Sequence, residues 1–469
     1  MASKLKPVRI DRRSKISIQQ QLYDRVRSAI AEGRLQPSER LPSTRSLAAQ
    51  LGLARGTVDV AYARLAGEGY VLSRGQTGTI VSPDLRASTL PAPTIAVPAP
   101  SVIRESFDPA LPFRLGLPAL DLFPRTLWAR LSAREARRLN GAKLCYPDPT
   151  GLPALREAIT AYLAVSRGIA CRPKQVVVTG GYQAALNVAA RLLLTPGDHV
   201  CFEDPGYVWA RRALESMSMR IAPIPVDFEG ICVAHARRYY PSARLTVVTP
   251  AHQSPLGVSL SMPRRQALLS WAADCNAWIL EDDYDSEFHY SGHKPPTLKS
   301  IDIDSRVLYA GSFSKTLFPG LRLGYLVLPL QLIDAAAKIC GGLHRGQPAF
   351  EQSVVAAFMA EGHFARHLRQ MRTRYGARRQ ALAAALVKQF GSEVQLSLQP
   401  GGLHVLAQFP NYDRDTELAR RALKHGLKAT PLSAQSVKHS AGQGLLLSFT
   451  NIPERSARNI VATLYRAIT

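Results

Sequence analysis

From Gln175 onward, short apolar runs alternate with amphipathic stretches, and this alternation limits the possible folds more than any other feature of the chain. The runs cover 175–179, 199–202, 245–249, 278–280, 306–310 and 324–328, with helix-like segments such as 264–276 between them. Runs this short read as buried strands. Strands alternating with helices predict an α/β domain whose largely parallel sheet is covered by helices on both faces. Ligands of such sheets gather at the carboxyl ends of the strands. Every conspicuous polar motif in this region directly follows one of the runs.

Gly311-Ser312-Phe313-Ser314-Lys315 follows the fifth run, Glu281-Asp282-Asp283-Tyr284 follows the fourth, and Arg322 lies seven positions after Lys315. An amine, a carboxylate, a phenol and a guanidinium at successive strand ends match the needs of pyridoxal 5'-phosphate (PLP). The amine forms the Schiff base, the carboxylate keeps the ring nitrogen protonated, and the guanidinium holds the phosphate. Thr179-Gly180-Gly181-Tyr182-Gln183 opens a helix after the first run, and glycines there let backbone N–H groups approach a phosphate. Glu203-Asp204-Pro205-Gly206-Tyr207 presents Tyr207 either as a ring stacked on an aromatic cofactor or as a packed surface tyrosine. A turn spanning 249–257 follows the third run. His363 and His367 are four apart but have no third ligand nearby in sequence, so they read as a solvated helix face rather than a metal site.

The first 82 residues follow a different pattern. Ile18, Leu22, Val26 and Ile30 recur every four residues as one amphipathic helix, which Gly33 can end. Ser43 or Thr44 can cap a second helix that buries Leu47, Ala48 and Leu51. Gly52 makes a tight turn, and a third helix begins near Arg55-Gly56-Thr57 and buries Val58, Ala61 and Leu65. Two short helices joined through glycine predict a helix-turn-helix, whose second helix offers its first residues to the DNA major groove. Strand-like runs at 70–73 and 79–81 flank Arg74-Gly75-Gln76-Thr77-Gly78, so a β-hairpin wing is expected.

Between these regions, 83–112 contains Pro91, Pro93, Pro98 and Pro100 among small residues and reads as a semi-extended tether. The expected organisation is therefore a DNA-binding domain at 1–82, a linker at 83–112 and an effector domain at 113–469. At 469 residues the chain is too long for one ordinary domain. Its 59 Lys and Arg against 35 Asp and Glu give a formal charge of +24, which favours polyanionic partners, and nucleic acid above all. The head contributes in its own right, with 14 basic and 6 acidic residues in 1–82. The six cysteines are scattered and form no C-x-x-C pair, which argues against a disulfide framework or zinc site. No apolar run reaches the roughly 18 residues of a membrane span, and the N-terminus has no apolar signal core. A cytoplasmic protein without membrane partners is expected.

The string Leu41-Pro42-Ser43-Thr44-Arg45, Leu51-Gly52-Leu53-Ala54-Arg55-Gly56-Thr57-Val58 and Glu68-Gly69-Tyr70 closely resembles the winged helix-turn-helix of the GntR family. That resemblance implies DNA contacts from Ser43, Arg45, Arg55, Gly56, Thr57 and Arg74. It departs at the wing tip, where Gln76 replaces the usual first glycine and Gly75 is left to take over the turn. Residues 113–469 resemble the fold-type I PLP enzymes of the aspartate aminotransferase superfamily, and the whole chain resembles the MocR subfamily of transcriptional regulators. The resemblance implies that Lys315 is the Schiff-base lysine, Asp282 the partner of the pyridine nitrogen and Tyr284 the partner of the ring's 3-oxygen. Tyr207 would stack on the ring, and Gly181, Tyr182, Gln183, Ser312, Ser314 and Arg322 would hold the phosphate. Tyr146, in Tyr146-Pro147-Asp148-Pro149-Thr150-Gly151, would reach the phosphate in a neighbouring subunit, so a homodimer is implied.

Two departures bear on activity. The aminotransferase turn Asn-Pro-x-Gly is Ser254-Pro255-Leu256-Gly257 here, as in the regulator branch. The substrate-clamping arginine of an Arg-Leu-x-Phe pattern is replaced in Leu446-Leu447-Ser448-Phe449, and leucine cannot form a bidentate carboxylate clamp. The expected function is a PLP-dependent regulator that binds a double-stranded operator and senses PLP or an amino compound. Its aminotransferase-like domain would act as a sensor, with at most residual half-transamination. The alternative is a working aminotransferase carrying an accessory DNA-binding head.

Overall fold

The computed structural model describes residues 10–12, 14, 16–75, 78–85, 111–292 and 294–469. The chain divides into two compact units, Met1–Ser106 and Phe107–Thr469. Most of the expected tether, 86–110, lies outside the described residues.

In the first unit, α1 (Ile18–Ala31), α2 (Thr44–Leu51) and α3 (Arg55–Gly67) precede a hairpin of β1 (Val71–Ser73) and β2 (Thr79–Val81). Leu22, Val26 and Ile30 of α1 close on Leu47 and Ala48 of α2 and Val58, Ala61 and Leu65 of α3, forming one small core. Ser43 caps α2, its hydroxyl oxygen accepting the Ser46 N–H at 3.1 Å. The chain leaves α2 through Gly52 at φ +61°, a left-handed conformation that glycine adopts without steric cost. The wing tip at Gln76 and Thr77 lies outside the described residues.

The second unit is built on an eight-stranded sheet. Its strands are β3 (Val176–Thr179), β4 (His199–Asp204), β5 (Arg220–Asp227), β6 (Gly230–Ile231), β7 (Leu245–Val248), β8 (Trp278–Asp283), β9 (Val307–Ser312) and β10 (Gly324–Val327), in the order β3-β10-β9-β8-β7-β4-β5-β6. Neighbours from β9 through β5 pair in parallel. β10 is antiparallel to both β3 and β9, a departure inside the largely parallel sheet read from the sequence. The cause is the short connection 313–323, which has no helix long enough for a parallel crossover. β5 escaped the sequence reading because Pro223 and Pro225 interrupt the run, as is usual towards a sheet edge, and β6 because it is only two residues long.

The helices of this unit are α4 (Arg125–Arg137), α5 (Gly141–Leu144), α6 (Pro153–Arg167), α7 (Tyr182–Leu193), α8 (Val208–Ser216), α9 (Val233–Tyr239), α10 (Met262–Asp274), α11 (Ile333–Leu343), α12 (Ala349–Ala360), α13 (His363–Phe390), α14 (Asp415–Lys424) and α15 (Ala457–Ile468). Strand side chains alternate between two cores. Val177, Val200, Leu280 and Leu308 pack with α7, α8 and α11, while Cys201, Ile279 and Val307 face α9 and α10. A second, antiparallel sheet of β11 (Gln395–Ser397), β12 (His404–Gln408), β13 (Thr430–Pro431) and β14 (Leu445–Ser448) packs with α13, α14 and α15. No helix among the described residues is long and apolar enough to cross a membrane.

Because β10 runs against its neighbours, its start lies at the same sheet edge as the carboxyl ends of β3 and β9: Gly324 pairs with both Thr179 and Ser312. The segments carrying Gly181, Tyr207, Asp282, Lys315 and Arg322 are thereby gathered at one edge.

Candidate cofactor pocket and DNA-binding surface

At that edge β8 ends in three consecutive carboxylates with three different environments. Glu281 accepts the Leu298 and Lys299 N–H groups at 2.9 and 2.8 Å. Asp283 is held by Arg167 at 2.8 Å and the Tyr309 hydroxyl at 2.5 Å. Asp282 alternates to the opposite face, the one covered by α7, and is 5% exposed. Burial pushes its carboxyl well above the ordinary range; contact with Tyr182 opposes this, and Asp283, Glu203 and Asp285 add to it. A buried carboxylate in such surroundings is stabilised by a cation, and a protonated pyridine nitrogen is one.

Lys315 projects from the segment after β9, and its Nζ donates to the Gly116 carbonyl at 2.6 Å. Burial brings its pKa down to about 8, against the opposing charges of Asp285 and Asp282. Tyr284 donates its hydroxyl to the His252 carbonyl at 3.0 Å. His252 is itself fixed by Asp285, Nδ1 to Oδ1 at 2.9 Å, with both side chains buried. Gly401 must be glycine, since a Cβ there would lie 1.8 Å from His252 Nε2.

The end with free backbone donors is formed by the start of α7. Gly181, at φ +89°, precedes the helix and provides no side-chain cap, so the first-turn N–H groups are left for another acceptor. Arg322 adopts a left-handed conformation, φ +51°, and its guanidinium lies about 3.9 Å from where a Cβ on Gly181 would sit. Gln183 Nε2 is buried without a hydrogen-bond partner, and the buried Tyr182 hydroxyl lies beside the Asp282 carboxyl. Ser312 Oγ accepts the Ser314 N–H at 3.1 Å, which shapes the turn leading to Lys315. Tyr207 is 36% exposed, its ring centroid 6.2 Å from that of Tyr182. Tyr146, by contrast, is 80% exposed, with the Arg345 guanidinium over its ring at 5.4 Å. An orphaned amide nitrogen, an uncapped helix start, a guanidinium, a buried carboxyl and an amine together suit PLP.

Several residues of this region were not legible in sequence. Gly116 meets Lys315 across 199 positions. Glu203 accepts Thr249 Oγ1 at 2.6 Å and the Thr249 N–H at 3.2 Å, and burial raises it to about 7. Asp204 accepts the N–H groups of Val437, Lys438 and His439, each at 2.7 Å, and so ties the end of β4 to the connection between β13 and β14. Leu446 is fully buried in an apolar cluster with Leu406 and Leu432, against which Leu115 and Leu256 pack. The expected solvated histidine face is corrected: His367 is 7% exposed and packs edge-on to Phe123 and Phe358, because it falls on the core side of α13. No cluster of three metal-ligating side chains occurs among the described residues.

On the first unit, Arg45, Arg55, Gly56 and Arg74 are exposed, and Thr57 is half-buried. Arg55 has Asp59 at 3.6 Å, one helical turn on. A Cβ on Gly56 would meet nothing within 4 Å, so the packing of this unit does not require glycine at that position. A surface approaching from outside could. Ser43 keeps its hydroxyl proton free to donate while its oxygen caps α2. Arg12, which sequence reasoning missed, donates to the Gly52 carbonyl at 3.0 Å and braces the turn.

Residues 18–81 match the model of bacterial regulatory proteins of the gntR family, and residues 123–452 match that of aminotransferases of class I and II. The probable rhizopine catabolism regulatory protein MocR of Rhizobium meliloti is 36% identical over 98% of this chain and 95% of its own length. The pyridoxine biosynthesis transcriptional regulator PdxR of Corynebacterium glutamicum is 33% identical over 99% and 98%. Among solved structures, the α-aminoadipate aminotransferase LysN of Thermus thermophilus, complexed with N-(5'-phosphopyridoxyl)-L-leucine, superposes with a TM-score of 0.71 at 28% identity, covering 79% of this chain and 94% of that one.

Proposed function

Because the chain belongs to the MocR-type transcriptional regulators, a GntR-type head joined to a class I and II aminotransferase domain, we propose that it is a PLP-dependent, DNA-binding regulator whose large domain senses PLP or an amino compound. The observation that carries this reading is the joint presence, in one chain, of an exposed basic helix-turn-helix and a pocket that presents Lys315 and Asp282 together. When bound, PLP supplies an aldehyde that primary amines add to and a ring that withdraws electrons. Lys315, with its amine brought down to about 8, has a reactive free-base fraction near neutral pH. Asp282 holds a proton or a cationic nitrogen at its carboxylate. Tyr284 offers a hydroxyl to the ring oxygen and Tyr207 a face to the ring. The backbone of Gly181 and Tyr182, together with Gln183, Ser312, Ser314 and Arg322, binds the phosphate. The exposure of Tyr146 supports its reaching a second subunit of a homodimer.

The head binds an operator duplex through Ser43, Arg45, Arg55, Gly56, Thr57 and Arg74, in a cytoplasmic setting, and residues 83–112 serve as its tether. The aminotransferase reading is favoured by the complete lysine, aspartate and tyrosine set. Against it stands Leu446, whose apolar neighbours hold no carboxylate. The deciding experiment titrates the purified protein with PLP and candidate amines while following operator binding and keto-acid turnover. Ligand-dependent DNA affinity without multiple turnover supports the regulator. Sustained turnover with ligand-independent DNA binding replaces it with the enzyme.

A further inference from the structure

The formal charge of the large domain understates the charge it shows to solvent. Residues 113–469 contain 43 Lys and Arg against 26 Asp and Glu. Among the described residues of that span, nine carboxylates are buried: Glu135, Glu203, Asp204, three consecutive ones in β8, Asp285, Glu287 and Asp415. Only three guanidiniums, those of Arg167, Arg265 and Arg378, are buried with them. The pocket and the core thus withdraw acid from the surface far more than base.

The excess is not spread evenly. α13 carries seven Lys or Arg over 28 residues and no Asp or Glu. At 100° per residue its core side carries Phe364, Leu368, Met371, Tyr375 and Leu382, and the opposite side carries Arg366, Arg369 and Arg374 within an arc of about 140°. All three are exposed, and none has a carboxylate within 4 Å among the described residues. α4 adjoins the start of this helix, because Arg134 pairs with Glu361, and it adds Arg130 and Arg137, also exposed. The acids at the junction are already engaged: Glu135 with Arg134 and Arg138, Glu361 with Arg134 and His363. A general bias towards arginine would leave acids on this face as well; here the solvent side of a long helix has none.

We propose that this arginine face of the large domain is a second DNA-binding surface, which holds the phosphate backbone of duplex flanking the sequence read by the head. The inference rests on the reading of the head as a DNA binder, since that contact brings duplex to the large domain at high local concentration. Guanidiniums on a helix without base-reading geometry neutralise phosphates, so the contact is independent of sequence and sensitive to salt.

The test uses the full chain and a mixed-sequence duplex of about 60 bp, with affinity measured across a salt series. The triple variant Arg366→Gln, Arg369→Gln, Arg374→Gln is expected to flatten the slope of log affinity against log salt by about two to three and to lose roughly tenfold or more in affinity at low salt. The corresponding triple Arg→Lys variant keeps the charge and should behave as the native protein. A head variant, Arg45→Ala with Arg55→Ala, should retain the portion of the slope that the α13 triple removes. A glutamine triple with native slope and affinity overturns the proposal. If the head variant binds as the native protein while the α13 triple does not, the large-domain surface stands and the reading of the head falls.

Discussion

Lys315 sits in a contest between burial, which favours the neutral amine, and the carboxylates of Asp285 and Asp282, which favour the ammonium. Burial wins, and the amine settles at about 8 instead of the ordinary lysine value of 10.5. Covalent attachment of PLP to the cofactor-free protein should therefore accelerate as pH rises, with a midpoint near 8, in a stopped-flow absorbance series. A midpoint near 10.5 would mean that the amine is not desolvated. Asp285→Asn removes the first of the two charges that support the ammonium, so the midpoint should move lower, not higher. Lys315→Ala should leave no borohydride-fixed cofactor on the protein, while the head remains folded by circular dichroism. A fixed adduct persisting in that variant would move the attachment site to another amine.

At the scale of elements, sequence periodicity was informative where a segment's neighbours in space are also its neighbours in the pattern. The three helices of the head follow the four-residue spacing of Leu22, Val26 and Ile30 and the glycine at 52, because short local packing decides them. In the sheet, the runs ending at Thr179, Leu280 and Ala310 were visible as apolar stretches, but the direction of β10 was not, since orientation depends on the length of the connection before it. The contact of Lys315 with Gly116 and the grip of Asp204 on 437–439 join segments far apart in sequence, and no local pattern announces them. Asp204 gives a test of such a joint. Its carboxylate receives three backbone N–H groups while 2% exposed, and an amide at that position presents one acceptor oxygen. Asp204→Asn should cost about 2–4 kcal/mol in urea unfolding. A cost below 0.5 kcal/mol would mean that the segment finds other partners. In the head, Arg45→Ala or Arg55→Ala should weaken operator binding by roughly 1–3 kcal/mol where the arginine reads a base edge, with cofactor attachment unchanged. Native operator affinity in both variants would remove α3 and the start of α2 from the DNA interface.

For the whole molecule, the question is how a ligand at Lys315 reaches the DNA. A ligand shifts DNA binding only as far as it distinguishes between arrangements of the protein that differ in their grip on the operator. By linkage, operator DNA must change the ligand's affinity by the same factor, so the coupling can be measured from either side. If, as proposed, the large domains dimerise and 83–112 tethers each head, the second half-site is bound at an effective concentration that raises affinity by roughly 10² or more when the tether spans the gap. The isolated residues 1–82 should therefore occupy the same half-sites far more weakly than the full chain. The full chain with and without PLP should differ in operator affinity or footprint, and isothermal titration of PLP in the presence of operator should return the same ratio. Equal affinities and identical footprints in all states would deprive the pocket of a sensory role. The lysine, aspartate and tyrosine set would then have to be explained by catalysis, in spite of Leu446.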